Sequence, residues 1–149
     1  MNVADFLSEI SDTLFPPLCI VCSEVLSSAQ EKVFCRECRR HITYITQSHC
    51  PVCGIIFPDS PAGNHLCGSC LEAKPHYAFA RAALAYDGVI LNAIHQFKYG
   101  RNLACGKALA DLLADFDFTD LDWNVFDVII PVPLHIRRLR TRGFNQSLI

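Results

Sequence analysis

Cys19-Ile20-Val21-Cys22, Cys35-Arg36-Glu37-Cys38, Cys50-Pro51-Val52-Cys53 and Cys67-Gly68-Ser69-Cys70 are four Cys-x-x-Cys pairs separated by 12, 11 and 13 residues. Two residues between cysteines let both thiolates reach one metal ion from a tight turn. A gap of about a dozen residues brings a second pair round to complete a tetrahedron. A disulfide framework and a redox motif are the rivals. The redox motif would need a thioredoxin-like βαβ setting that is missing here, and disulfides suit an oxidising compartment. The eight cysteines are therefore expected to hold two structural zinc ions. Sequential pairing would put Cys19, Cys22, Cys35 and Cys38 on one ion and Cys50, Cys53, Cys67 and Cys70 on the other. Cross-bracing would alternate the pairs; the shorter loops of the sequential scheme cost less entropy to close. Gly54, after Cys53, suits a turn with positive φ, whereas Ser23, Arg39 and Leu71 hold the equivalent places without that freedom. Four complete pairs leave no vacancy for His41, His49 or His65. Four thiolates per ion also leave no open coordination position, so the metal would not activate water.

Residues 16–76, rich in turn residues and poor in large apolar ones, read as a double zinc ribbon, a small domain stapled by metal. Before it, residues 1–15 place Phe6, Leu7, Ile10, Leu14 and Phe15 near helical spacing, ended by Pro16-Pro17. That amphipathic helix is expected to pack on its own protein, with docking to a partner as the alternative. After residue 76 the pattern changes. Ala78 to Tyr86 reads as a strand of small residues. Val89, Ile90, Ala93, Ile94 and Phe97 mark one helix face, and Leu109, Leu112, Leu113 and Phe116 mark a second. Val125 to Val132 reads as a strand buried on both faces. Strands alternating with helices predict an α/β domain with a mostly parallel sheet over residues 77–149. Asn145 to Ile149 looks like the first turn of a helix, so the chain reads as ending inside that second domain. Cys105, alone on the second helix, is expected to be a buried small apolar residue.

Of 149 residues, 51% are hydrophobic and 19% charged, with a formal net charge of −2. Two zinc–tetrathiolate sites would each add a charge of about −2, which argues against wholesale non-specific nucleic-acid binding. No stretch reaches the roughly 18 apolar residues of a membrane span, and the N-terminus lacks the basic start of a secretory leader. A cytoplasmic protein without membrane insertion is expected.

Beyond the buried run, Arg137, Arg138, Arg140 and Arg142 follow one another with no acid after Asp127. Guanidinium forks match phosphate oxygens, and ligands of open α/β sheets collect beyond the carboxyl ends of strands. Taken with the four cysteine pairs, three segments are telling: Lys98-Tyr99-Gly100, Ile130-Pro131-Val132-Pro133 and Arg142-Gly143-Phe144-Asn145-Gln146. In them the chain resembles the ComF/GntX-like family, which joins a double zinc ribbon to a type I phosphoribosyltransferase-like domain. The resemblance implies a ribbon domain followed by an incomplete α/β phosphoribosyltransferase-like domain. It also implies a phosphoribosyl pyrophosphate-like ligand in the complete form, with Mg2+ accompanying that donor. Arg142, Gly143, Asn145 and Gln146 are the candidates to approach its pyrophosphate, and Lys98 is expected to face the same cleft. It further implies a link to competence and DNA uptake, with a protein of the uptake machinery as partner. The family's donor-binding signature is two adjacent acids and a Thr/Gly-rich loop. No two acids are adjacent here, no residue stands out as catalytic, and this chain alone is expected to be inactive. The alternative is an adaptor that binds a partner protein or single-stranded DNA. Lys32, Arg36, Arg39 and Arg40 would form its basic edge, with Phe34 and Tyr44 stacking on bases.

Overall fold

The computed structural model describes residues 15–27, 33–58 and 62–149. The expected helix over residues 1–15 and the basic residue Lys32 lie essentially outside that range. The chain divides into two compact units, one formed by residues up to Ile42 together with Tyr86–Ile149, the other by Thr43–Ala85.

In the first unit, Leu18 and Val25 pair as an antiparallel bridge around Cys19 and Cys22, and helix α1, Arg36–Arg40, follows. Cys35 caps α1, its sulfur accepting from the Cys38 amide at 3.4 Å. Glu37 lies in the first turn and Arg39 and Arg40 in the last, the arrangement the helix dipole favours. The expected helical hairpin is present. Helix α3, Gly88–Tyr99, buries Val89, Ile90, Ala93 and Phe97, and helix α4, Leu103–Ala114, buries Cys105, Gly106, Ala108 and Leu112. Asn102 caps α4 by accepting from the Cys105 amide. The two helices meet closely at Gly106, where a Cβ would lie 2.4 Å from the Phe97 ring. Phe144 stacks on Phe97, with ring centroids 5.1 Å apart. Cys105 is fully buried, and that burial pushes its thiol above the usual range, as expected of an inert packing residue.

In the second unit, His49 and Ile56 bridge around Cys50 and Cys53, and helix α2, Gly68–Glu72, follows. The segment expected as a strand over Ala78 to Tyr86 contributes only a bridge, Leu84 to Tyr44. Among the described residues of this unit only Cys50 and Ala83 are buried.

Two expectations for residues 77–149 need correcting. Residues 126–135 run without helix or ladder after a 3-10 turn at Trp123–Val125, and Ile129 is 87% exposed rather than buried on both faces. Among the described residues the only strand contacts are three isolated bridges, none of which involves this run. An apolar strand is buried by its sheet neighbours, and among the described residues none pairs with this run. The arginine run forms helix α5, Ile136–Arg142, which ends at Gly143 with φ 86°. That left-handed residue is an ordinary glycine stop. Asn145 then accepts from the Ser147 amide and starts a 3-10 turn, Gln146–Leu148, where a first helical turn was expected.

Candidate metal centre

The two ribbons repeat one backbone plan. Cys19 donates its amide to the Glu24 carbonyl and accepts from Ser23; Cys50 donates to Ile55 and accepts from Gly54. One step out, Leu26 bonds to the Pro17 carbonyl and Phe57 to that of Ser48. Each turn passes through the left-handed region at the residue after its second cysteine, Gly54 at φ 75° and Ser23 at φ 61°. Ser23 thus adopts the glycine conformation without being glycine. Arg39 and Leu71 need no such freedom, because each second cysteine pair lies at the start of a helix: Cys35 and Cys67 are the residues before α1 and α2.

These turns bring the sulfurs into two sequential clusters, Cys19, Cys22, Cys35 and Cys38 in one and Cys50, Cys53, Cys67 and Cys70 in the other. Within each cluster all Sγ atoms lie within 4.8 Å of one another. The Cys22 and Cys35 sulfurs are 3.5 Å apart, and those of Cys53 and Cys67 are 3.6 Å apart. A tetrahedral zinc with bonds of about 2.3 Å has sulfur–sulfur edges of about 3.8 Å, so both clusters fit one such ion each. His41, His49 and His65 belong to neither cluster. Instead, the Nδ1 of each lies within hydrogen-bonding distance of a backbone carbonyl, those of Glu37, Gln47 and Gly63 respectively.

The electrostatics of the bare thiols lead to the same ion. Burial opposes ionisation of Cys19, but the backbone amides of Cys22, Cys35 and Val21 outweigh it and bring the thiol down to about 6. Cys50 behaves alike: burial is outweighed by the amides of Cys53, Cys67 and Val52, and its thiol comes down to about 6. The other end of each cluster moves the opposite way. Burial and the neighbouring thiols push Cys38 up, and the same causes push Cys70 up to about 12. Four like charges cannot gather in so small a volume unaided. A divalent cation inverts that balance by deprotonating its ligands outright. Four thiolates of one type, with no oxygen or nitrogen among them, are the donor set of a structural zinc site.

The burial of the two clusters differs. In the first, Cys19, Cys35 and Cys38 are buried and only Cys22 is exposed. In the second, Cys50 is buried while Cys53, Cys67 and Cys70 are half-buried.

The phosphate-site candidates are only partly brought together. Lys98, at the end of α3, and Arg142, at the end of α5, line one open cleft of about 450 Å³ with Tyr99, Arg101, Arg137, Arg138 and Thr141. No carboxylate lines it. Arg142 is held on two sides: it donates to Gln146 Oε1 at 2.9 Å, and its guanidinium lies 5.5 Å from the centroid of the Tyr99 ring. Arg101, at φ 54°, donates to the Thr141 carbonyl and so ties the α3–α4 turn to α5. Gly143, Asn145 and Gln146 do not line the cleft. Gly143 ends α5, and Asn145 donates to the Val132 carbonyl at 3.1 Å, joining the Pro-Val-Pro segment to the turn after α5. Tyr99 and Arg101, which also line the cleft, lie in or beside the Lys98-Tyr99-Gly100 segment but are not among the candidates named from the sequence. A non-glycine residue with positive φ directly after a helix-ending glycine leaves no mark in composition or periodicity.

A double zinc ribbon domain matches residues 10–71, a span that includes all eight clustered cysteines. Three proteins called DNA utilization protein YhgH are similar to the chain. That of Salmonella typhi is 32% identical over 137 residues, that of Shigella flexneri 33% over 136, and that of Escherichia coli K12 32% over 136. Each alignment covers 89% of this chain and 57% of the relative, so the chain spans little more than half the length of the proteins it matches. No solved structure matches it. No helix among the described residues is long and apolar enough to cross a membrane.

Proposed function

We propose that this chain carries the zinc-stapled ribbons and one phosphate-binding edge of a ComF-like protein of the phosphoribosyltransferase family that serves DNA utilization. Its relatives carry that role in their names, and its eight clustered cysteines lie within a double zinc ribbon domain. The observation that carries the proposal is the cleft where Lys98, Arg101, Arg137, Arg138 and Arg142 converge with no acid among them. Such a concentration of cations with two or more guanidinium forks suits a diphosphate better than a neutral sugar or a lone carboxylate. In a complete α/β domain this edge would take the pyrophosphate of a phosphoribosyl donor, and Mg2+ would arrive with that donor. The acid pair that would hold the ribose hydroxyls is not among these 149 residues, so the role proposed for this chain is binding rather than transfer. The zinc ions hold the ribbons in shape and take no part in chemistry.

Calorimetric titration of the zinc-loaded chain with pyrophosphate tests this. Binding is expected, weakened at least about tenfold by Arg142→Ala through loss of a charge-assisted pair and less by Gln146→Ala, which only frees the guanidinium. Arg39→Ala with Arg40→Ala is expected to leave it unchanged. Absence of binding, or binding indifferent to Arg142, overturns the proposal.

The adaptor alternative has less support. Arg36, Arg39 and Arg40 are exposed on α1, but Arg40 pairs with Glu37 at 3.4 Å. Phe34 is only 5% exposed and offers no ring face to a base.

A further inference from the structure

We infer that the basic cleft also accepts a nucleoside 5′-diphosphate, with the diphosphate on its guanidinium groups and the base stacked on Tyr99. The inference rests on the diphosphate reading of that cleft and adds the part of a ligand that lies beyond the phosphates. At about 450 Å³ the cleft has the size of a small-molecule site and is much larger than a pyrophosphate. Lys98, Arg101, Arg137, Arg138 and Arg142 supply its charge, and among the described residues it has no carboxylate to hold sugar hydroxyls. What it offers beyond charge is a ring. Tyr99, the last residue of α3, is 72% exposed and lines the same cleft.

That ring is held before any ligand arrives. The Arg142 guanidinium lies over it, 5.5 Å from its centroid, and the His95 ring, one helical turn back, meets it edge-on at 5.7 Å and 80°. His95 Nε2 in turn lies 3.3 Å from the Tyr86 hydroxyl, within hydrogen-bonding distance. With so much of Tyr99 exposed, the face away from Arg142 is open. A planar base on that face would complete a sandwich of guanidinium, phenol and base. Bases stack on aromatic side chains whatever their identity, and a ring already fixed by its neighbours loses little freedom on binding. Arg142 then serves both halves of the ligand, as a partner of the phosphates and as the backing of the ring. A nucleoside diphosphate held this way excludes the pyrophosphate of a phosphoribosyl donor from the same cations, so the two ligands compete.

The test titrates the zinc-loaded chain with ADP and with pyrophosphate in a calorimeter, without magnesium, and repeats both titrations on Tyr99→Leu, Tyr99→Trp and Arg142→Ala. ADP is expected to bind about tenfold more tightly than pyrophosphate, as one base stacked on one aromatic ring would give. Tyr99→Leu should remove that difference, Tyr99→Trp should keep or enlarge it, and Arg142→Ala should weaken both ligands. The readout is the ratio of the two affinities, because losing the ring also frees Arg142 and so alters pyrophosphate binding itself. ADP bound no more tightly than pyrophosphate, or an advantage of ADP that survives Tyr99→Leu, overturns this inference and leaves the diphosphate reading standing. Failure of both ligands to bind overturns the two together.

Discussion

Between Leu18 and Val25 the chain makes the same turn as between His49 and Ile56, with the same bridge, the same backbone bonds and the same left-handed exit. Each turn is followed by a five-residue helix preceded by a cysteine. Yet the first ribbon belongs to a unit with a hydrophobic core, and the second belongs to one with almost none. The short helices differ in the same sense. α1 has its side-chain cap, an acid in its first turn and bases in its last; α2 has no side-chain cap and no such charges. A shared geometry around a metal therefore does not imply shared support. The first ribbon adds its metal to a core, and the second substitutes its metal for one.

The largest test of that difference is removal of both ions. A structural zinc site in a small domain supplies on the order of 10–16 kcal/mol. Chelation is expected to abolish amide hydrogen-exchange protection throughout Thr43–Ala85 while the helical hairpin Gly88–Ala114 retains part of its own. Equal loss in both would break the comparison. A second test removes core instead of metal. Phe34→Ala should cost about 3–5 kcal/mol in denaturant unfolding, as deletion of a buried aromatic does. Leu71→Ala, at a side chain 68% exposed, should change stability by no more than about 0.5 kcal/mol. A large cost at Leu71 would mean that the second ribbon has support beyond its metal. Smaller effects are expected at the two left-handed residues. At Gly54 a Cβ would lie 2.7 Å from the Ala80 carbonyl oxygen, so Gly54→Ala should cost about 1–3 kcal/mol from backbone strain, with steric conflict added. Ser23→Gly should relieve strain and shift stability by no more than about 1 kcal/mol, partly offset by the freer unfolded chain. Thermal unfolding of the zinc-loaded variants checks both. If Gly54→Ala is neutral, the two turns are not the equivalent structures their hydrogen bonds indicate.

What could be read from the sequence was what local chemistry sets. The cysteine spacing located both clusters, and the apolar spacing located the helices that became Gly88–Tyr99 and Leu103–Ala114. What could not be read depends on partners distant in sequence. Whether Val128, Ile129 and Ile130 are buried is decided by neighbouring strands, and their own apolar character cannot supply those. That Lys98 and Arg142 line one cleft goes with Phe144 stacking against Phe97 and with Arg101 bonding to the Thr141 carbonyl, long-range contacts that no periodicity records. Helix α5 is a different case: its arginines stand out by charge, and the helix stop at Gly143 is legible only as a glycine after a Leu- and Arg-rich run. Ser23 marks the limit in the other direction: the geometry of the metal turn imposed a positive φ on a residue with no preference for it.

The central claim is that two independent tetrathiolate sites, paired in sequence order, each hold one zinc ion. X-ray absorption at the zinc edge, combined with metal quantification on the purified chain, tests it most directly. The account predicts two zinc ions per chain, both with four sulfur neighbours at about 2.3 Å. A single zinc ion, or a nitrogen or oxygen atom in the coordination shell of either site, would contradict it.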